Sequence, residues 1–454
     1  MPHSTDAPVV IDNVLTRYGT HIRSALSELP SPPAGEFGPG NDLPPDSQEL
    51  SRYFSAATLA FADLGTYEGK RIRLLDLMRN PRTRTTKTFA SLPIVARAVE
   101  HIRRTGERVM LLSPSSGNKA TALRDAVLRA HESDLATPEQ LSILVVVPGA
   151  SRDKLWSSPL SDDELLHSRN PVAVHDGADR ADVKPLARAL IDGYAGTLRE
   201  RCGVNLWYTL DINNYKAADI VRAYAERDVL PPAAGRLHVH AVSSAYGLLG
   251  HDLGARRLAA EGRGEPSAHY FLVQHLDTPD MVLSLHFGSH SRTNLPAYRY
   301  DERTGLHHQD SDPRFPATAF DPGENLDPTF YTRTPPTSQE INPLIHARGG
   351  GGIVVSLPEC LERYPRLRAA LAPAGIVLPA DPRELREWSL VMAMTGLFNA
   401  IDRGLVAEDD ILVHGSGSYH QGDFVPLAPD RLTPVADVEE LAEIAIAAAE
   451  GKDL

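Results

Sequence analysis

Lysine is scarce in this chain. Only seven of the 46 basic residues are lysine (Lys70, Lys87, Lys119, Lys154, Lys184, Lys216 and Lys452), so the search for a nucleophilic amine is short. Lys87 ends the run Arg82-Thr83-Arg84-Thr85-Thr86-Lys87 and opens a stretch of helical periodicity. An amine becomes a nucleophile where desolvation or a cationic neighbour favours its neutral form. The competing reading is a solvated lysine at a helix start beside Arg82 and Arg84. Lys119 is the nearest rival, and its place just inside a helix predicts that it points along that helix.

Three small-residue turns follow strand-like runs: Ser113-Pro114-Ser115-Ser116-Gly117-Asn118, Val242-Ser243-Ser244-Ala245-Tyr246-Gly247 and His414-Gly415-Ser416-Gly417-Ser418. Free N–H groups and small hydroxyls at a helix start favour anions, which makes the second turn a candidate phosphate cup. Ordinary βα turns and helix caps use the same residues. The run Gly349-Gly350-Gly351-Gly352 precedes a strand instead of following one, and is read as a hinge before Ile353. His286, His290, His307, His308 and His346 fit no zinc pattern and are read as a polar lid or surface loop. His238 and His240 alternate on one strand face and are read as packed. No metal site is expected.

The elements that must position these residues alternate. Helical periodicity predicts helices over 9–29, 88–104, 119–131, 183–201, 217–226, 250–260, 361–371 and 382–403. Short β-rich runs predict strands over 108–112, 141–147, 172–175, 237–242, 270–275, 352–356 and 411–414. The continuous Ile, Leu and Val of 141–147 mark a strand covered on both faces. Such β-then-α repetition argues for an α/β fold with parallel sheets flanked by helices, where ligands gather at strand C-termini. Residues 285–335 carry no periodicity.

The order of these features resembles fold-type II pyridoxal phosphate (PLP) enzymes of the tryptophan synthase beta superfamily, and the threonine synthase branch above all. Asn80-Pro81-Arg82-Thr83-Arg84-Thr85-Thr86-Lys87 is similar to that family's Asn-Pro-Thr-Gly-Ser-Phe-Lys segment, Ser115-Ser116-Gly117-Asn118 to its asparagine loop, and Leu210-Asp211-Ile212-Asn213-Asn214-Tyr215 to its Ser-Ile-Asn-Pro-Tyr-Arg stretch. The resemblance spans roughly residues 70–420. It departs where Lys87 is followed by Thr88-Phe89, where Ser-Ser-Ala-Tyr replaces a glycine-richer phosphate turn, and over 285–335.

That resemblance implies a two-lobed fold with PLP as cofactor in the cleft: an N-terminal segment 1–69 on the large lobe, the large lobe over 70–90 and 181–454, and a small lobe over 91–180. It implies that Lys87 forms the Schiff base and moves the α-proton, and that Asn118 meets the cofactor's 3′-oxygen. Ser115, Ser116 and Gly117, with Asn213 and Asn214, are expected at the substrate. Ser243, Ser244, Ala245, Tyr246 and Gly247 are expected around the phosphate, and Ser416, with His414 as the alternative, at the pyridine nitrogen. The implied activity is β- or γ-elimination or replacement on a small, in one version O-phosphorylated, amino acid. Threonine synthase and cysteate synthase are the models, and the departures favour specialised amino-acid or natural-product biosynthesis. A homodimer is implied as well. A non-catalytic binding protein on the same fold, and an unrelated α/β enzyme using His414 or the histidine-rich insert with a metal, remain as alternatives.

Composition narrows the classes. At 454 residues the chain exceeds one small core. Its net charge of −13, well mixed along the sequence, argues against a nucleic-acid or membrane-surface partner. Two cysteines, Cys202 and Cys360, argue against a disulfide framework, and Met1-Pro2-His3-Ser4-Thr5-Asp6 lacks the pattern of a secretory leader. A cytoplasmic enzyme is expected.

Overall fold

Aliphatic runs become the central strands. Leu141–Pro148 is buried at seven of its eight positions, as a parallel strand covered on both faces must be. The computed structural model describes residues 7–177, 179–231, 235–264 and 267–452; the stretch 1–6 read above lies outside the described residues.

The chain divides into two units. The first holds the described residues up to Ile11, Thr58–Arg79 and Asp219–Asp423; the second holds Asp12–Ala57, Asn80–Ala218 and the chain from Phe424 onward. This division differs from the expected lobes 1–69, 70–90 with 181–454, and 91–180, and strand pairing explains why. Val204–Tyr208 pairs with Arg108–Leu112, and Thr433–Pro434 pairs with Ala173–Val174, so both ends of that stretch return to the second unit's sheet. Lys87 accordingly falls in the second unit.

The first unit is built on a seven-stranded sheet in the order Val9–Ile11, Leu59–Tyr67, Lys70–Asp76, Asp410–Gly415, Leu237–Ala241, His269–His275, Gly350–Val355. The first two junctions are antiparallel and the others parallel. Leu237, Val239, Phe271, Val273, Ile353, Ile411 and Val413 form its core with Leu390, Val391, Met394, Leu397 and Phe398 of the helix Ser389–Asp402. That helix is buried at nearly every position, so truncating one of its leucines to alanine costs about 2–5 kcal/mol.

The second unit carries a five-stranded, wholly parallel sheet in the order Thr433–Pro434, Val172–His175, Leu141–Pro148, Arg108–Pro114, Val204–Tyr208. Met110, Leu112, Leu144 and Val146 pack with Ala187, Leu190 and Leu198 of the helix Val183–Cys202 and with Leu441, Ala445 and Ala448 of the helix Val438–Glu450. Among the described residues, no helix is long and apolar enough to cross a membrane.

Several expectations are corrected. The helix read over 9–29 is broken: Val9–Ile11 pairs with Leu59–Phe61, Asn13 takes φ +49°, and helices follow only at Val14–Arg17 and Gly19–Ser27. The helix read over 382–403 begins at Ser389, because Leu385–Glu387 first pairs with Tyr419–His420. The glycine run is no hinge. Gly350, Gly351 and Gly352 lie in the strand Gly350–Val355 against Tyr270, Phe271 and Leu272, where a β-carbon on Gly350 would sit 2.0 Å from the Tyr270 carbonyl oxygen. Residues 285–335 include a small antiparallel sheet of Arg299–Asp301, Leu306–His308 and Thr318–Ala319.

Candidate functional site

In the second unit the segment before Lys87 is shaped by Asn80. Its carbonyl accepts the N–H groups of Thr83 and Arg84, and its side-chain oxygen accepts the Arg82 N–H at 3.1 Å. Its amide donates to Thr88 Oγ1 at 3.1 Å and to Asp125 Oδ2 at 2.8 Å, tying the segment to the helix Asn118–Glu132. Thr88, which stands where the family pattern has aspartate, is buried and bonded to Thr83 Oγ1 at 2.7 Å. Lys87 then opens the helix Lys87–Thr105, half-buried, with its Nζ 5.8 Å from the centroid of the Tyr215 ring.

A second amine meets the same ring. Lys119 Nζ lies 5.9 Å from that centroid, is buried, and has no hydrogen-bond partner among the described residues. Burial, then the nearby Lys87 and Lys184, lower the Lys119 amine to about 7. The expectation that Lys119 points away along its helix is therefore corrected. Tyr215 and Lys119 are the residues that sequence reasoning undervalued, although both lie in stretches already singled out: Tyr215 ends the Leu210–Tyr215 run and Lys119 follows Asn118.

The asparagine loop leaves the strand Arg108–Pro114 and turns at Gly117, whose φ is +120°. Asn118, buried, is the first residue of the next helix. Ser115 Oγ accepts the N–H groups of Gly117 at 3.2 Å and Ala120 at 2.9 Å, so its oxygen caps the helix start; Ser116 is half-buried. Asn214 is fixed structurally: its side-chain oxygen accepts from Arg97, which also donates to Gly40 O at 2.7 Å and Asn41 Oδ1 at 2.8 Å. That engagement corrects its assignment to substrate. Asn213, half-buried, donates its N–H to Asp211 Oδ1 at 2.9 Å.

In the first unit the turn over 243–247 joins the strand Leu237–Ala241 to the helix Tyr246–Ala260, with Ala245 at φ +53°. Its two serine hydroxyls are already engaged: Thr332 Oγ1 lies 3.1 Å from Ser243 Oγ and 2.9 Å from Ser244 Oγ. What the turn can offer an anion is therefore its N–H groups, with a cation close by. The Arg222 guanidinium, buried and paired with Asp219 at 2.8 Å, occupies the space above Gly247, where a β-carbon would meet it at 2.6 Å. Tyr246 and Gly247, both half-buried, begin the helix.

At the end of the strand Asp410–Gly415, Ser416 is half-buried and His414 wholly buried. His414 stacks on His240 at 3.9 Å between ring centroids, its Nε2 lies 3.0 Å from His238 Nδ1, and its Nδ1 lies 3.5 Å from Arg222. Burial, then the neighbouring His240 and His238, push it well below the ordinary histidine range. Both ring nitrogens are engaged inside the unit, which corrects His414 as an alternative to Ser416. His238 and His240 are packed, as expected, yet they belong to a polar cluster that also holds Glu226 and His251. The five histidines read as a lid or surface loop each bond a different group: His286 the Gly352 carbonyl, His290 Ser338, His307 the Phe320 carbonyl, His308 Thr304 and His346 the Leu285 carbonyl.

Several solved structures share this architecture. A PLP-bound threonine synthase from Brucella melitensis matches with a TM-score of 0.51 at 11% identity, over 98% of this chain and 92% of that one. Threonine synthase from yeast matches with a TM-score of 0.51 at 12% identity, over 88% and 84%. A pyridoxal 5′-phosphate-dependent aspartate racemase matches with a TM-score of 0.50 at 12% identity, over 90% and 98%. The chain thus has the threonine synthase-like, fold-type II architecture. It belongs to the Family of unknown function (DUF6002), whose model matches residues 10–449. No curated protein matches significantly.

Proposed function

We propose that this chain is a PLP enzyme that carries its cofactor on Lys87 and acts on a small amino acid by elimination or replacement at the β or γ carbon. One observation carries the reading: the Lys87 amine meets the Tyr215 ring where a second amine, that of Lys119, is buried with no hydrogen-bond partner. A buried cation donor without an acceptor suits an anionic aromatic ligand. The fold and the Asn80–Lys87 and Ser115–Asn118 segments support the same choice.

When bound, the cofactor supplies an aldehyde for the amine and a conjugated ring that accepts electrons released at the substrate's α-carbon. Lys87 would hold it and would move the α-proton of the substrate. Asn118 donates to the ring oxygen. Ser116, the N–H groups beyond Gly117 and Lys119 receive the substrate carboxylate, a part that Ser115 fills less well because its oxygen caps the helix. The first unit's residues keep the roles read from the sequence, the N–H groups of 243–247 for the phosphate and the Ser416 hydroxyl for the ring nitrogen, and Arg222 beside Gly247 joins the phosphate group. A neutral hydroxyl leaves that nitrogen largely unprotonated, which suits loss of a leaving group. A homodimer and a place in specialised amino-acid or natural-product biosynthesis belong to the same proposal.

Reconstitution with PLP, followed by a panel of amino acids and O-phospho-amino acids, tests this reading. The expected result is a visible absorption band absent from Lys87→Ala, together with release of phosphate, ammonia or a keto acid from at least one substrate. A band indifferent to Lys87→Ala, or no turnover across the panel, contradicts it.

A further inference from the structure

Three side chains in the first unit converge on a point that the proposed chemistry does not use. Glu226 comes from the helix Val221–Val229, His238 from the strand Leu237–Ala241 and His251 from the helix Tyr246–Ala260. One potential ligand atom from each lies within 4.8 Å of the other two. Both histidines are buried.

Outer hydrogen bonds decide which atoms face the centre. His238 Nδ1 meets His414 Nε2 at 3.0 Å, and His251 Nδ1 meets the Tyr270 hydroxyl at 2.9 Å. The two Nε2 atoms are left facing the carboxylate: that of His251 is 2.8 Å from Glu226 Oε2, and that of His238 is 3.7 Å from Oε1. Arg236 donates to Oε1 at 2.6 Å and also pairs with Asp410 at 2.9 Å, so it orients the carboxylate while its own charge is shared. Ligands held in place by a second ring of hydrogen bonds are the usual build of a protein metal centre. The same three side chains line a cavity of ≈ 470 Å³, which leaves space for a fourth ligand.

The geometry points to a site for one divalent cation of the zinc class, bound by His238 Nε2, His251 Nε2 and Glu226, with its fourth position open to the cavity. Two imidazoles and one carboxylate without thiolate suit zinc better than calcium or magnesium, and three protein ligands with an open position are typical of reactive zinc sites. Bonds of about 2.0–2.1 Å would set the donors roughly 3.3 Å from one another, so the His251–Glu226 edge of 2.8 Å opens slightly and the His238–Glu226 edge of 3.7 Å closes slightly. Coordination requires each Nδ1 to carry the proton: the Tyr270 oxygen is placed to accept that of His251, and His414 Nε2 accepts that of His238 in the tautomer with its own proton on Nδ1, which gives up the 3.5 Å contact with Arg222. The site stands independently of the reading of Lys87.

The test uses tag-free, chelator-stripped full-length protein, titrated with zinc chloride against a chromophoric competitor. One equivalent is expected to bind, with affinity falling roughly 10-fold or more in His238→Gln and in His251→Gln, and unchanged in His307→Asn with His308→Asn. Tyr270→Phe keeps the ring and removes only an outer hydrogen bond, so it decides the matter if a ligand variant misfolds: about 10-fold weaker binding is expected there. No uptake by the wild type at micromolar zinc would overturn the site, as would wild-type binding by a well-folded His238→Gln or His251→Gln variant or by Tyr270→Phe.

Discussion

Lys87 and Lys119 meet one aromatic ring: their amines lie 5.8 and 5.9 Å from the centroid of the Tyr215 ring. Burial of Lys119 disfavours its charged form, and the nearby Lys87 amine adds to that effect. The amine with no hydrogen-bond partner, Lys119, is the one drawn down to about 7. The proposed function gives the two amines different work, with Lys87 as the covalent amine and Lys119 as the receiver of an anion.

A stability prediction follows from Lys119 alone. Its folded-state value is about 7 against an ordinary 10.5. Between these values the unfolded chain binds a proton that the folded chain lacks, so stability rises with pH across that window and the penalty is complete below about 7. Lys119→Met removes it. Denaturant unfolding below pH 7 should show the variant more stable than wild type by on the order of a few kcal/mol, with the difference fading toward pH 10.5. A variant less stable than wild type at low pH would contradict this.

The same amine predicts a pH dependence of substrate binding. An anion pairs with the ammonium form, so KM for a carboxylate or phosphate substrate should rise as pH increases through about 7. In Lys119→Met the overall KM should be higher and that inflection absent, a split that a purely structural role would not produce.

Asn80 is predicted to position Lys87. Asn80→Ala removes the bonds to Arg82 N, Thr88 Oγ1, Asp125 Oδ2 and Arg129, and leaves buried groups unpaired. A loss of roughly 2–3 kcal/mol in unfolding free energy is expected, with a marked drop in PLP affinity, measured by absorbance titration. Retention of wild-type cofactor affinity would show that the segment does not depend on Asn80.

Much of the scaffold was legible and its reasons are local. Leu141–Pro148 announces itself because both faces are covered, and Lys87 because it opens a helix after an unusual run. The errors have local causes too. Gly349–Gly352 reads as a hinge only until the Tyr270 backbone is known to run 2.0 Å from where a Gly350 side chain would start. Asn214 looks like a ligand group until Arg97 is seen to hold it. The Glu226, His238 and His251 cluster has no linear signature, since its members and their partner His414 come from separate elements joined by the parallel pairing of Leu237–His240 with Ile411–His414.

The most direct test of the central claim is to trap the amine. PLP-loaded protein is reduced with borohydride, digested, and its pyridoxyl-bearing peptide identified by mass spectrometry. The label is predicted on Lys87, with the unlabelled Lys119 peptide recovered intact. A label on Lys119, on another lysine, or on no peptide at all would contradict it.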